Sequence, residues 1–231
     1  MSGTLFVVAT PIGNLEDITF RAVRTLSEAD LIAAEDTRHT RILLDKYNIK
    51  TPLTSYHKFN LRSKTSYIAQ LLQEGKNIAL VSDSGTPGIS DPGYQIIKQA
   101  ADEMVRIEVI PGPSAAISAL VVSGLPTDQF VFEGFLPKKP GKKRKLLTQL
   151  KNEERTIIIY ESPFRLVNTL EEIAAIMGTE RAVTVCRELT KKFEEVVRGT
   201  AAEVLARFKD TKVRGEIVIV LSGQEAQRER S

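Results

Sequence analysis

Residues 78–94 read IALVSDSGTPGISDPGY, and the fold turns on how they are read. Ile78–Val81 is a short, wholly apolar run, the mark of a strand buried on both faces of a parallel sheet. The next dozen residues hold three Gly, two Pro, three Ser and two Asp, more bare amides and short oxygen-bearing side chains than a tight turn uses. YQIIKQAADEM (94–104) then resumes with helical spacing. Strand, long glycine-rich loop and helix make half of a crossover unit. The chain is therefore expected to build a parallel sheet with its loops gathered at one edge.

The same alternation extends on both sides. TLFVVAT (4–10), LIAAE (31–35), PLTSY (52–56) and RIEVI (106–110) read as further strands. Between them FRAVRTL (20–26) offers Phe20, Val23 and Leu26 as one apolar face, and SYIAQLLQEG (66–75) offers Ile68, Leu71 and Leu72 with Gly75 as its stop. After IPGPSAAISALVVSGLP (110–126) the pattern restarts with FVFEGF (130–135), TIIIYE (156–161), AVTVCREL (182–189), FEEVVRG (193–199) and EIVIVLS (216–222). The adjacent strands within 182–199 read as a hairpin, which makes this second sheet mixed. Ser162-Pro163 is expected to start a helix that Gly178 ends, and Thr200 with Glu203 forms a capping box. Two α/β domains follow, residues 1–118 with a mostly parallel sheet and residues 119–231 with a mixed one.

Composition narrows the chemistry. A chain of 231 residues that is 42% hydrophobic has ample core-forming material. Cys186 stands alone, so neither a disulfide framework nor a thiol-rich zinc site is expected, and His39 and His57 lie on separate segments. No metal is expected. No run approaches the roughly 18 apolar residues of a membrane span, and MSGTLFVVATPIGN shows no basic leader, so a cytoplasmic location is expected. Net charge is +3, yet KKPGKKRK (138–145) alone carries six cations and no acid; +3 less six leaves −3 for the rest. That stretch is either a solvated linker or a mobile loop-borne arm that meets phosphates.

Four loops follow strands of the first domain: ATPIGN (9–14), AEDTRHT (34–40), SDSGTPGISDPG (82–93) and IPGPSAA (110–116). In an open parallel sheet the carboxyl ends share an edge, where ligands bind. Any one loop reads equally well as a turn; four together imply a ligand. Neither the GxGxxG nor the GxxxxGK[ST] pattern is present, so dinucleotides and triphosphates are poor fits. Backbone groups, hydroxyls and a few carboxylates suit a zwitterionic, partly nucleoside-like molecule with one positive centre, a description that S-adenosylmethionine meets.

VATPIGNLEDITFRAVRTLSEADLIAAEDTRHT (8–40), VSDSGTPGISDPG (81–93), IPGPSAAISAL (110–120), FVFEGFLPKKPGKKR (130–144) and YESPFRL (160–166) together resemble the ribosomal RNA small subunit methyltransferase I branch of the tetrapyrrole methylase superfamily. The resemblance runs from about Thr4 to about Leu221. It implies a two-domain α/β fold with S-adenosylmethionine in the interdomain cleft, and a homodimer. It also implies methyl transfer to the ribose 2′-oxygen of a cytidine in the decoding region of 16S rRNA. By motif, the cofactor residues it implies are Pro11, Ser82, Asp83, Thr86, Ser114 and Ala115, with Tyr160 and Leu189 from the second domain. Ser84 stands where Ala is common in the branch, with little consequence expected. Some members carry a further helical segment where this chain reads GQEAQRERS. A small-molecule or tetrapyrrole methylase on the same fold is the alternative.

Transfer from a sulfonium needs an in-line 2′-oxygen, a proximity effect of up to about 7–11 kcal/mol, and a group to take the hydroxyl proton. Glu35 and Asp36, adjacent at a strand's carboxyl end, are the candidates. The competing reading makes Asp36 the cap of the following helix and pairs Glu35 with Arg38. His39 fits a helix surface better than a base. For RNA the candidates are Lys138, Lys139, Lys142, Lys143, Arg144 and Lys145, with Arg38, Arg41 and Arg165 near the cleft mouth.

Overall fold

The structure, a computed structural model, describes residues 2–57 and 60–224. Its chain forms two compact units, Met1–Ser114 and Ala115–Ser231. The expected pair of α/β halves, the first parallel and the second mixed, is what the chain builds. The segment GQEAQRERS passes out of the described residues after Gln224.

The first unit runs β1 (Thr4–Val8), α1 (Phe20–Glu28), β2 (Leu31–Ala34), α2 (Thr37–Lys46), β3 (Leu53–Ser55), α3 (Leu61–Gln73), β4 (Ile78–Val81), α4 (Tyr94–Asp102) and β5 (Arg106–Ile110), with a short 3₁₀ turn at Leu15–Asp17. All five strands are parallel, in the order β3-β2-β4-β1-β5. Right-handed crossovers settle the helix positions. The connections through α1 and α2 run one way along the sheet and those through α3 and α4 the other, so the two pairs cover opposite faces. β4 shows both faces in four residues. Ile78 and Leu80 pack with Ile68, Leu72 and Ile96, while Ala79 and Val81 pack with Ala22, Leu26 and Leu44.

One helix face differs from expectation. Ala22, Thr25 and Leu26 are the buried residues of α1, Val23 is partly buried, and Phe20 is 97% exposed. Thr19 caps the helix, its hydroxyl accepting the Ala22 N–H at 3.0 Å, so Phe20 is the first helical residue. At 100° per residue it lies about 200° from Ala22, on the far side from the sheet.

The second unit runs α5 (Ala115–Ser123), β6 (Phe130–Phe135), α6 (Pro140–Leu150), β7 (Thr156–Glu161), α7 (Leu166–Met177), β8 (Ala182–Arg187), β9 (Glu195–Thr200), α8 (Ala201–Lys209) and β10 (Ile217–Leu221). The sheet order is β6-β7-β10-β8-β9, with β6 parallel to β7 and the other pairs antiparallel. One face packs Leu147, Leu170, Ile173, Val204 and Phe208 against Ile157, Ile159, Val185 and Ile219. The other face meets α5, where Thr184 Oγ1 donates to Ser123 O at 3.2 Å. Thr200 and Glu203 form the expected capping box.

Two local expectations fail here. The helix expected from Ser162-Pro163 begins at Leu166, because Pro163–Arg165 closes a separate turn, Arg165 N–H to Ser162 O at 2.9 Å. And KKPGKKRK is no loop-borne arm: Pro140, at the first helical position, opens α6, and Gly141 through Lys145 continue it.

Candidate active site

The polar groups of the first unit collect at the carboxyl edge of its sheet. β4 lies between β2 and β1, so their loops emerge side by side. Thr10 and Gly85 exchange both backbone hydrogen bonds, each 3.0 Å, pinning the loop after β1 to the loop after β4. Thr10 Oγ1 donates to Ser82 O at 3.2 Å, and the buried Ser82 hydroxyl donates to Ser84 O at 3.1 Å. Asp83 ties in the loop after β2, its Oδ1 accepting the Asp36 N–H at 2.9 Å. Ala9 N–H reaches Ile110 O at 3.1 Å, which brings in the end of β5. Pro11 is buried in this array, while Thr86 and Ser114 are half-buried.

The long loop is folded around Asp91. This carboxylate accepts the Gly93 N–H at 2.7 Å and the Gly88 N–H at 2.9 Å. Gly88 has φ +90, a backbone conformation that L side chains rarely adopt, which favours glycine there. Tyr56, fully buried, donates to Val81 O at 2.9 Å. Burial, with the charges of Asp91, Glu35 and Asp83 added, pushes its phenol up, so it stays a neutral donor. Burial likewise raises Asp91, opposed by the amides of Gly88, Gly93 and Ile89 and reinforced by Asp83. Three carboxylates thus lie near enough to act on one buried phenol.

Of the adjacent acids that end β2, Asp36 is spoken for. It caps α2, its Oδ1 accepting the Arg38 N–H at 2.8 Å, and its Oδ2 lies 2.7 Å from Arg38 Nη2. The Arg38 guanidinium holds the carboxyl well below the usual carboxylate range. So weak a base accepts protons poorly, which makes Asp36 the poorer proton acceptor of the two candidates; Glu35 beside it is half-buried. Asp36→Asn is therefore expected to leave the pH–rate profile in place. Because its folded value is lowered, Asp36 stabilises the fold above the ordinary aspartate range, and that contribution fades as pH falls through the lowered value. Melting curves of Asp36→Asn and the parent should converge in acid; a difference that widens there would reverse the assignment. His39 and Arg41 are exposed on α2.

In the second unit, Tyr160 on β7 packs edge-on against Phe132 (4.9 Å) and Phe135 (5.6 Å). Burial raises its phenol, opposed by the nearby Ala116 amide. Within this unit the start of α5, with half-buried Ala115, thus meets the end of β7. Leu189 is buried in the β8–β9 turn between two residues of positive φ, Glu188 (54°) and Thr190 (68°).

The basic candidates divide. Lys138, Lys139, Lys142, Arg144 and Lys145 are exposed. Lys143 is buried, with Nζ 2.7 Å from Asn168 Oδ1 and 2.9 Å from Glu172 Oε2, and so is not offered to a ligand. Arg165 is committed as well, its Nη2 2.6 Å from Glu161 Oε1 and its Nη1 donating to Leu136 O at 3.1 Å. Tyr56 and Asp91 were not singled out from the sequence, although Asp-Pro-Gly at 91–93 is a turn signal that points to Asp91. Among the described residues no group of three or more His, Cys, Asp or Glu is arranged to hold a metal ion, and no helix is long and apolar enough to cross a membrane.

Comparison with known proteins adds to this geometry. The model of the tetrapyrrole (corrin/porphyrin) methylases matches residues 4–205. A Thermotoga maritima protein named ribosomal RNA small subunit methyltransferase I is 51% identical over 96% of this chain and 100% of its own length. A protein of the same name from Escherichia coli O157:H7 is 47% identical over 98% of this chain and 80% of its own. Among solved structures, uroporphyrin-III C-methyltransferase from Thermus thermophilus, complexed with S-adenosylhomocysteine, superposes with a TM-score of 0.66 at 17% identity, covering 98% of this chain and 100% of that one. At that identity the likeness is one of fold.

Proposed function

The chain belongs to the tetrapyrrole (corrin/porphyrin) methylase family, and on that footing we propose that it methylates the ribose 2′-oxygen of a cytidine in the decoding region of 16S rRNA. The observation that carries the reading is the 51% identity, along the full length of that relative, to a protein named for the small-subunit rRNA reaction. Porphyrin-pathway enzymes share the fold at under 20% identity, so the tetrapyrrole alternative is the weaker one. The substrate would place the protein in the cytoplasm, and a homodimer is part of the proposal, read out by sedimentation.

The first unit fits the methyl donor. Its long loop carries hydroxyls, carboxylates and no lysine, a donor set suited to a zwitterion with a cationic sulfur and ill suited to a triphosphate. Pro11, Ser82, Asp83, Thr86 and Ser114 would hold it. Bound there, S-adenosylmethionine would supply a methyl group already activated on sulfur. The chain's own work is to hold the loops still and take a proton. The Thr10–Gly85 bridge and the Asp91 clamp fix the loop, Asp83 places a negative charge beside it, and Glu35 receives the hydroxyl proton.

Incubation with radiolabelled S-adenosylmethionine and small subunits from a strain lacking the enzyme tests this. The expected label lies in 16S rRNA at one cytidine, where the 2′-methyl blocks alkaline cleavage. Label on a base, or transfer to a porphyrinoid and not to RNA, would discard the reading.

A further inference from the structure

The turn after β7 carries a feature that the methyl-transfer site leaves unused. Phe164 is 94% exposed, an apolar ring standing in water at the tip of Glu161-Ser162-Pro163-Phe164-Arg165. The turn beneath it is firmly built. Glu161, buried, accepts the Ser162 N–H at 2.6 Å and the Thr169 hydroxyl at 2.7 Å, and pairs with Arg165 at 2.6 Å. Arg165 also donates to Leu136 O, and Lys138 and Lys139 stand two and three residues beyond that carbonyl. Lys143, bound to Asn168 and Glu172, fastens the start of α6 to α7. Phe164 and the exposed Lys138, Lys139 and Lys142 therefore belong to one preformed surface, with Phe135, 57% exposed, at the end of the neighbouring strand β6.

We infer that this surface binds single-stranded RNA, with Phe164 stacking on an unpaired base and Lys138, Lys139 and Lys142 neutralising the flanking phosphates. The pairing of an exposed ring on a hydrogen-bonded turn with clustered cations carries the assignment. Aromatic faces take bases of any sequence, and cations track the backbone. The inference rests on the RNA reading above and adds to it where, and by what contact, the substrate is held.

The chain contains no tryptophan, so Phe164→Trp installs a single reporter. Titration with a single-stranded oligonucleotide of the decoding-region sequence is expected to quench its fluorescence. Phe164→Ala is expected to weaken binding to that oligonucleotide and to the small subunit about 10-fold, within the range for loss of one stacked base. The slope of log affinity against log salt should not change, because no charge is lost. The triple change of Lys138, Lys139 and Lys142 to Ala should instead lower that slope by about 2. Melting temperatures of Phe164→Ala and the parent should agree. Unquenched Trp fluorescence with parental affinity for Phe164→Ala would overturn the inference while methylation of the subunit by the parent continued. A loss seen with the assembled subunit and not with free RNA would reassign Phe164 to a ribosomal protein. If the parent transferred no label to the subunit, the premise would fall and the inference with it.

Discussion

Glu35→Gln is expected to slow methyl transfer by roughly 10²–10⁴-fold, the range a positioned general base contributes, with binding of S-adenosylhomocysteine retained in calorimetry. The two acids that end β2 have parted company. Asp36 spends its carboxylate on the Arg38 amide and guanidinium, whereas Glu35 is half-buried at the edge where Asp83 and Asp91 also lie. Gln keeps the shape and removes the basicity, so the acidic limb of the pH–rate profile should vanish along with the rate. A variant with parental kcat would show that the 2′-hydroxyl proton leaves without Glu35. Asp36→Asn is the internal control, since it alters the neighbouring acid without touching that limb.

Lys143→Ala should destabilise the protein by about 3–5 kcal/mol, the usual cost of leaving one partner of a buried ion pair behind, seen as a fall in Tm on the order of 10 °C or more. The side chains of Lys143 and Glu172 are 5% and 8% exposed, so the buried carboxylate left behind would keep only the Arg144 guanidinium, 3.4 Å from its Oε1. Lys142→Ala, one residue away and exposed, should leave Tm unchanged and reduce the salt dependence of RNA binding. Replacing Lys143 and Glu172 together by Met should recover most of the loss, because two apolar side chains of similar volume need no solvation. If Lys143→Ala melted with the parent and lost RNA affinity, Lys143 would belong with its exposed neighbours after all.

Much of the architecture is legible in one dimension. Runs of apolar residues between turn residues marked the ten strands of the described residues; those buried on both faces, such as Ile78–Val81 and Ile217–Leu221, carry no polar group and stop where polar residues begin. The hairpin of β8 and β9, the mixed second sheet and the Thr200–Glu203 capping box follow from equally local chemistry. The SDSGTPGISDPG loop stood out as a candidate ligand loop because so many oxygens and glycines are not needed to turn a chain. Phe20 was misread because the buried face of a short helix depends on where its cap starts it. The turn at Pro163–Arg165 was misread because its closing pair, Glu161 with Arg165, also depends on a carbonyl of Leu136, 29 residues away.

By itself, then, the sequence determined the two α/β halves, the strand periodicity, the loop that gathers polar groups, and the motifs shared with the methylases. Each of these is written in neighbouring residues. Only the tertiary structure decided that Asp36 is committed to Arg38, that Tyr56 and Asp91 brace the loop, and that Lys143 is an internal tie while Lys142 faces water. Ionisation and burial are set by partners remote in sequence, and six basic positions within eight residues look alike until a helix turns one of them inward onto Glu172.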